Sequence, residues 1–398
     1  MGRRVVILSL IFSPDNVSTA QIMAGLAEDL KKAGHEVRVV TTTPHFHRDA
    51  GMEKVQPIRW FLWPFLKKSD YRGVVVYHVP MPDKSIWVPL RLVSWIWFHI
   101  VSTVVCWSLG RIDMLIACTP PMTIGLSAWA VRIVKRCRFV FNVQEVYPDI
   151  AINLGYMKNG LVIGFFRWLE RFIYSKSDAV TTITDGMRDK IAGRTSPEKV
   201  RLIPNYVEFD DAQGDMAASS KHDVFTVTYA GNMGVPQNLG PLVEVARQLV
   251  NSVRILFVGD GGDRKRLERL AQGLGNVEFR GYRPISEMPA IYGESDLLYV
   301  GQDEKAASDG IPSKIYRILG NRKPLVVIAP ANSDLARFVQ VSGGGRTASV
   351  ENLPEVVMAM QKEDLSAMAL AGYVYVREHY SRQKVTGMYV DLIKELVK

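Results

Sequence analysis

Val224-Phe225-Thr226-Val227-Thr228-Tyr229-Ala230-Gly231-Asn232-Met233-Gly234 is a β-branched run that ends abruptly in glycines and leads into a helical pattern. A buried strand that turns through glycine into a helix is the repeating unit of a parallel sheet covered by helices. The same unit recurs downstream, with strands expected near Arg254 to Val258, Val277 to Phe279, Leu297 to Val300 and Leu325 to Ile328. It also recurs upstream, near Val5 to Leu10, Glu36 to Thr42, Gly73 to Val79, Ile112 to Cys118, Arg138 to Val143 and Asp178 to Thr182. The restart at Val224 therefore predicts an α/β chain of two Rossmann-like, doubly wound parallel-sheet domains.

The boundaries follow from composition. Residues 1–205 form the first domain and 224–380 the second. Residues 206–223 between them are polar and acidic, cannot bury much apolar surface, and read as a linker. After a helix near Leu365 to His379, a last amphipathic segment over 381–398 is long enough to return to the first domain.

With 398 residues, 47% hydrophobic and 22% charged, the chain has the balance of a folded globular protein. Its net charge of +9 is uneven, with 27 Lys+Arg against 16 Asp+Glu in residues 1–205 and 22 against 24 in the rest. A basic half suits an anionic membrane surface or a negatively charged substrate. Nucleic acid is the weakest partner, because no nucleic-acid module accompanies the charge. The three cysteines, Cys106, Cys118 and Cys137, match neither a metal-ligand spacing nor a CxxC pair, and point to a reducing cytoplasm. The opening apolar run after Arg3-Arg4 is short and lacks a small-residue cleavage site, so it reads as a first strand.

Residues 92–109 carry no charged side chain, and Trp87, Trp95, Trp97 and Trp107 lie in or just before them. Their length reaches the lower limit for a bilayer span, but the flanking strand patterns belong to one sheet, which a crossing would separate. A buried crossover helix and an interfacial helix remain open. Trp60, Phe61, Trp63 and Phe65 followed by Lys67-Lys68 favour a membrane surface, where aromatic rings meet headgroups.

Chemistry is expected on loops at the carboxyl ends of strands, where helix N-termini point at bound anions. Five loops qualify. Ser13 to Ala20 leads into a helix that Ser18 or Thr19 can cap. Gly231 to Asn238 offers glycine backbone to a diphosphate. Val258 to Asp263 joins strand to helix, but its aspartates disfavour an anion. Asp309 to Tyr316 places Lys314 at a helix start. Asn142 to Asp149 brings the carboxylates Glu145 and Asp149, suited to sugar hydroxyls or to general-base work. No HExxH, DxD, Walker, GxSxG or zinc pattern accompanies them.

In joint order and spacing, Ala33-Gly34-His35-Glu36-Val37, Thr41-Thr42-Thr43-Pro44-His45, Thr119-Pro120-Pro121, Gln144 to Asp149, Pro204-Asn205, Gly231 to Gly234 and Pro312-Ser313-Lys314 resemble glycosyltransferase family 4 over nearly the whole chain. The likeness is greatest to bacterial members that build capsule, O-antigen or colanic acid. That resemblance implies the GT-B fold, with its central cleft between two domains, and retaining, metal-independent transfer of a sugar from a nucleotide diphosphate such as a UDP- or GDP-sugar. It implies no cofactor. The second domain binds the donor and the first a lipid-linked oligosaccharide or polysaccharide acceptor, at the cytoplasmic membrane surface.

Carried over by position, Glu145, Asn232 and Lys314 are the catalytic candidates. Gly231, Asn232, Gly234, Gln237, Gly310, Pro312, Ser313 and Lys314 hold the donor, with Ser13, Asn16 and Ser18 closing from the other lobe. Gly281, Tyr282 and Arg283 meet the nucleobase. Trp60, Trp63, Lys67, Lys68, Trp95 and Trp97 face acceptor or membrane. The chain departs from the family where a Glu-x7-Glu pair reads Asp309 and Arg317, and Gln237 stands where a lysine is common. A non-catalytic sugar-nucleotide binder, or an epimerase or hydrolase of the same fold, are the competing classes.

Overall fold

The computed structural model describes residues 2–46, 50–82, 88–209, 224–303 and 310–397. The chain divides into two compact units, Met1–Asn205 with Arg382–Lys398, and Tyr206–Ser381. Trp87, Asp309 and most of the expected linker, residues 210–223, lie outside the described residues.

The first unit runs β1 (Arg4–Ser9), α1 (Ser18–Lys32), β2 (Glu36–Thr42), α2 (Ala50–Val55), β3 (Arg59–Leu62), β4 (Leu66–Tyr71), β5 (Val74–Val79), α3 (Val88–Ser108), β6 (Met114–Cys118), α4 (Ile124–Lys135), β7 (Arg138–Val143), α5 (Asp149–Asn153), α6 (Gly160–Lys176), β8 (Ala179–Thr182), α7 (Asp185–Ala192) and β9 (Val200–Leu202). The second runs β10 (Phe225–Ala230), α8 (Gly240–Gln248), β11 (Val253–Val258), α9 (Arg264–Leu270), β12 (Val277–Arg280), α10 (Met288–Gly293), β13 (Leu297–Gly301), α11 (Lys314–Gly320), β14 (Leu325–Ile328), α12 (Asp334–Ser342), β15 (Gly345–Ala348), α13 (Leu353–Gln361) and α14 (Ser366–Tyr380). The last helix, α15 (Arg382–Leu396), belongs to the first unit.

The first sheet has the order β3-β4-β5-β2-β1-β6-β7-β8-β9, parallel except where β3, β4 and β5 pair antiparallel. The second, β12-β11-β10-β13-β14-β15, is parallel throughout. Strands β1, β6 and β7 are buried on both faces, as a sheet with helices on both sides requires. Strand residues Leu8, Leu115, Ala117, Phe139 and Phe141 pack with Phe98 and Cys106 of α3, Ala128 and Val131 of α4, and Leu169 and Ile173 of α6. Residues of the other parity, such as Ile7, Val39 and Ile116, are equally buried, and α1 packs against α15.

The return of α15 is fixed by charge. The Arg382 guanidinium forks onto both oxygens of Asp29 at 2.7 and 2.8 Å and onto Glu28 at 2.7 Å. Burial pushes the Glu28 carboxyl up, but hydrogen bonds from Arg382, Lys32 and Arg72 outweigh it and hold the group at about 2. Deeper in, the Tyr389 hydroxyl accepts from Asn142 at 2.7 Å.

Several expectations need correction. The hairpin of β3 and β4 was not anticipated, because β3 is exposed on both faces and shows no inside–outside alternation. Nor were β9, three residues long, and the edge strand β15, whose sequence Gly-Arg-Thr-Ala is poor in β-formers. Helix α1 begins at Ser18 itself, so neither Ser18 nor Thr19 is its cap; Val17 holds that position in extended backbone, with no side-chain cap bond. The start of the expected linker is ordered: Tyr206 and Val207 are buried, and the Val207 N–H donates to the Tyr380 carbonyl at 2.9 Å.

Candidate active site

In each sheet the strand order reverses at one point, between β1 and β6 in the first unit and between β10 and β13 in the second. Outside the carboxyl ends of such strands a crevice opens, because their connections leave in opposite directions. The candidate residues of each unit gather there.

In the second unit, the loop after β10 is laced to the loop after β11. The Gly231 N–H donates to Val258, the Met233 N–H to Asp260, and the Asp263 N–H back to Met233. This approach has room for no side chain: a Cβ on Gly259 would stand 2.0 Å from the Gly231 carbonyl oxygen, and one on Gly261 2.3 Å from that of Met233. The glycines of the Val258 to Asp263 loop thus shape its neighbour. Asp263 holds the N-cap position of α9 without a side-chain cap bond, its carboxylate gripping Arg266 at 2.6 and 2.7 Å, and Asp260 accepts from the Gly261 N–H.

Beyond Gly234 the chain turns through Val235–Gln237, and the Gln237 Oε1 accepts the Gly234 N–H at 3.0 Å. Gln237 therefore locks the turn. Asn238 follows in the left-handed region at φ 45°, with its carbonyl held by the Tyr299 hydroxyl at 2.6 Å. On the far side of the switch point, Gly310 has φ 90° and accepts from Gln302 at 3.1 Å. Pro312 and Ser313 then start α11, and the Pro312 carbonyl accepts the Ile315 N–H.

Lys314 connects the two loops. Its Nζ lies 2.9 Å from the Tyr229 hydroxyl and 4.1 Å from the centre of the Tyr229 ring, and Tyr229 in turn donates to the Asn232 carbonyl. A Cβ on Gly231 would be only 2.9 Å from this nitrogen, so the ammonium sits against the glycine backbone. Burial, and then the charge of Arg317, push Lys314 down to about 7. Arg317, one turn further on, hydrogen-bonds the buried Tyr292 hydroxyl. The switch point therefore presents glycine backbone and two cations, an arrangement that receives a polyanion.

Gly281, Tyr282 and Arg283 lie apart from this cluster, exposed on the loop after edge strand β12, two strands from β10; Arg283 faces Glu287 at 3.6 Å.

In the first unit, the Ser13 hydroxyl is buried and donates to Gln56 Oε1 at 2.7 Å. The Gln56 amide nitrogen donates to the Ser13 carbonyl and to Ser69 Oγ, and Ser69 meets His78 Nε2 at 2.8 Å. His78 Nδ1 lies 3.0 Å from the Thr42 carbonyl, so it carries the proton and the ring is neutral. Burial pushes His78 down to about 4, which fits. The buried Asp15 carboxylate accepts the N–H groups of His45 and Phe46, and Asn16 accepts from Gln21.

Thr119, after β6, accepts the Gln144 N–H, and Gln144 bridges Asn142 and Asn205 at 2.7 and 2.9 Å. This buried network holds the loop on which Glu145 stands half-buried. Asp149 does not join it: Arg194 takes Asp149 and, at 2.8 Å, the buried Glu170. Gln56, His78 and Tyr299 were missed from sequence, where strand position or isolation made them read as core or surface; Asp15 and Tyr229 lay in candidate loops without being singled out. Among the described residues no three His, Cys, Asp or Glu side chains converge as a metal site.

The first unit also carries an unusual apolar surface. Trp60, Phe61, Leu62, Trp63 and Phe65 of the β3–β4 hairpin are 45 to 74% exposed, with Lys67 4.5 Å from the centre of the Trp60 ring and Lys68 5.5 Å from that of Phe61. Phe65 packs on Trp97 of α3, and Trp95 is half-buried. Helix α3 buries Phe98, Val101, Val105 and Cys106, yet leaves Val93, Ile96, Ile100, Val104 and Trp107 exposed. A helix apolar on both sides is ordinarily enclosed. No described helix is long and apolar enough to cross a membrane.

Two units, each with a doubly wound sheet, the second with a glycine loop and cations at its switch point, make up the GT-B fold. Residues 19–206 match the model of the glycosyl transferase 4-like domain, nearly all of the first unit before α15. It is 25% identical to the colanic acid biosynthesis glycosyl transferase WcaI of Escherichia coli (strain K12), over 96% of both chains. It is 22% identical to the glycosyltransferase WbjE of Pseudomonas aeruginosa, over 68% of this chain and 72% of that one. Among solved structures, HepE of Anabaena in complex with UDP superposes with a TM-score of 0.71 at 11% identity, over 98% of this chain and 100% of that one.

Proposed function

We propose that the protein moves a sugar from a nucleotide diphosphate donor, with retention and without metal or cofactor, to a lipid-linked oligosaccharide or polysaccharide acceptor in bacterial surface-polysaccharide assembly. The observation that carries this reading is the Lys314 ammonium, seated between Tyr229 and the Gly231 backbone at the second unit's switch point. The difficult step is departure of the nucleotide diphosphate, whose growing charge must meet preorganised donors. Lys314 and the Asn232 N–H supply them. Gly281, Tyr282 and Arg283 receive the base. Glu145 acts on the acceptor hydroxyl. The UDP bound to HepE and the polysaccharide role in the name of WcaI support the donor and the pathway class.

The enzyme works as a peripheral protein on the inner face of the cell membrane, with Trp60, Trp63, Lys67, Lys68, Trp95 and Trp97 towards the lipid. Changing Lys67 and Lys68 together to Glu weakens vesicle binding on this reading, and unchanged binding rejects that role for them.

A second reading, a member that binds sugar nucleotide without transferring it, has one observation in its favour. Arg317 stands where the family carries Glu, and its charge faces Lys314 rather than offering a carboxylate to ribose. Turnover of UDP-, GDP-, ADP- and dTDP-sugars with and without EDTA separates the two. Donor consumption that requires acceptor and survives EDTA supports transfer, and binding without turnover across a broad acceptor panel supports the second.

A further inference from the structure

Helix α6 was read from sequence only as one of the helices between strands, and the proposed function makes no use of it. Leu161, Phe165 and Trp168 follow one another at helical spacing on its outer side, 87, 54 and 59% exposed. Trp168 stacks on Phe172, which meets Trp129 of α4 edge-on at 5.0 Å. On α4, Ile133 and Val134 are 57 and 56% exposed, and α4 in turn packs along α3. The apolar surface that begins at the hairpin thus continues through α3 and α4 onto α6.

Its charges have one sign. Helix α4 contains no acidic residue, and the single acid of α6, Glu170, is fully buried on Arg194. Arg167 and Arg171 are exposed along one flank of the aromatic stripe, where long side chains can lift their charge from an apolar bed to a phosphate. A two-fold contact with a second copy would bring these like charges together, because such an interface is self-complementary. An anionic bilayer satisfies both the stripe and its flank.

We infer that α6 is a second membrane-seating element, with Leu161, Phe165 and Trp168 entering the headgroup–acyl boundary of an anionic leaflet and Arg167 and Arg171 pairing with lipid phosphates. This rests on the membrane-surface reading above and extends it from one edge of the first sheet across α3 and α4.

The test is flotation of the full chain with vesicles of phosphatidylglycerol and phosphatidylcholine, compared with phosphatidylcholine alone. The variants are Phe165→Ala with Trp168→Ala, Arg167→Gln with Arg171→Gln, and Trp60→Ala with Trp63→Ala. Each pair is exposed, and thermal unfolding checks that each variant keeps the wild-type midpoint.

Loss of binding by about tenfold or more in both α6 variants, with the arginine variant affected only on anionic vesicles, is the expected result. Wild-type binding by both α6 variants together with loss in the hairpin variant overturns the role of α6 and leaves the membrane reading standing. A wild-type protein that floats with neither vesicle overturns both. A concentration-dependent dimer in sedimentation that Phe165→Ala with Trp168→Ala dissociates, with vesicle binding unchanged, assigns the stripe to a second copy and overturns the proposal.

Discussion

Lys314 has to be charged to meet a diphosphate, yet the unliganded fold holds it at about 7. Binding of the polyanion restores the proton, so donor affinity falls as pH rises above about 7, and calorimetry in buffers of different ionisation heat shows proton uptake near pH 8. Lys314→Met weakens nucleotide binding about 10- to 100-fold, the range for a hydrogen bond to a charged group. The same substitution does not destabilise the empty protein. Because the folded value is depressed, burial of Lys314 costs stability in full below pH 7, and that cost fades as pH rises from there towards the usual 10.5. The variant's gain in melting temperature is therefore larger at pH 6 than at pH 10.

At Gly259 the constraint is steric. A methyl group there meets the Gly231 carbonyl at 2.0 Å while φ stands at 135°, so Gly259→Ala costs at least about 2 kcal/mol and moves the donor loop. Chemical denaturation with nucleotide titration detects both effects; a variant with wild-type stability and affinity contradicts the lacing of the two loops.

Among the elements, those whose burial imposes a period were legible in the sequence. Glu36–Thr42, Arg138–Val143 and Leu325–Ile328 form the strands expected at those bounds, since β-branched and aromatic runs mark strands covered on both faces. The β3–β4 hairpin broke that logic. Its apolar residues face outward, so the run read as a membrane surface concealed a strand.

Side-chain partnerships at long sequence distance were equally hidden. Nothing near Ser13 in sequence indicates that Gln56 holds it, or that the hold passes through Ser69 to His78. Glycines at strand ends and a lysine at a helix start are local signals, which is why Gly231 and Lys314 stand out as candidates from sequence. The seat of α15 is another distant pairing and carries its own pH signature. Glu28 is depressed from 4.5 to about 2, so its contribution is complete above pH 4.5 and lost as pH falls towards 2. Arg382→Ala removes the cation from a largely buried cluster and costs about 3 kcal/mol near neutral pH, with a smaller loss at pH 2.5. Urea unfolding at the two pH values measures it, and an equal loss at both contradicts the electrostatic seat.

For the whole molecule, the two units differ in surface as well as in charge. The basic, aromatic first unit carries the apolar face. The nearly neutral second unit carries a compact cluster of glycine backbone and cations at its switch point. The departure at Arg317 bears on which donor this cluster accepts, because a guanidinium cannot accept hydrogen bonds from a ribose diol as a carboxylate does.

On the proposed function, this cluster binds a nucleotide diphosphate sugar. Its most direct test is titration calorimetry of the wild-type protein and Lys314→Met with UDP, GDP and the matching sugar nucleotides, in EDTA. The wild type is expected to bind one nucleotide series selectively, with proton uptake above pH 7, and the variant to bind it at least about tenfold more weakly. Equal affinity in the two proteins, or no binding of any nucleotide, contradicts it.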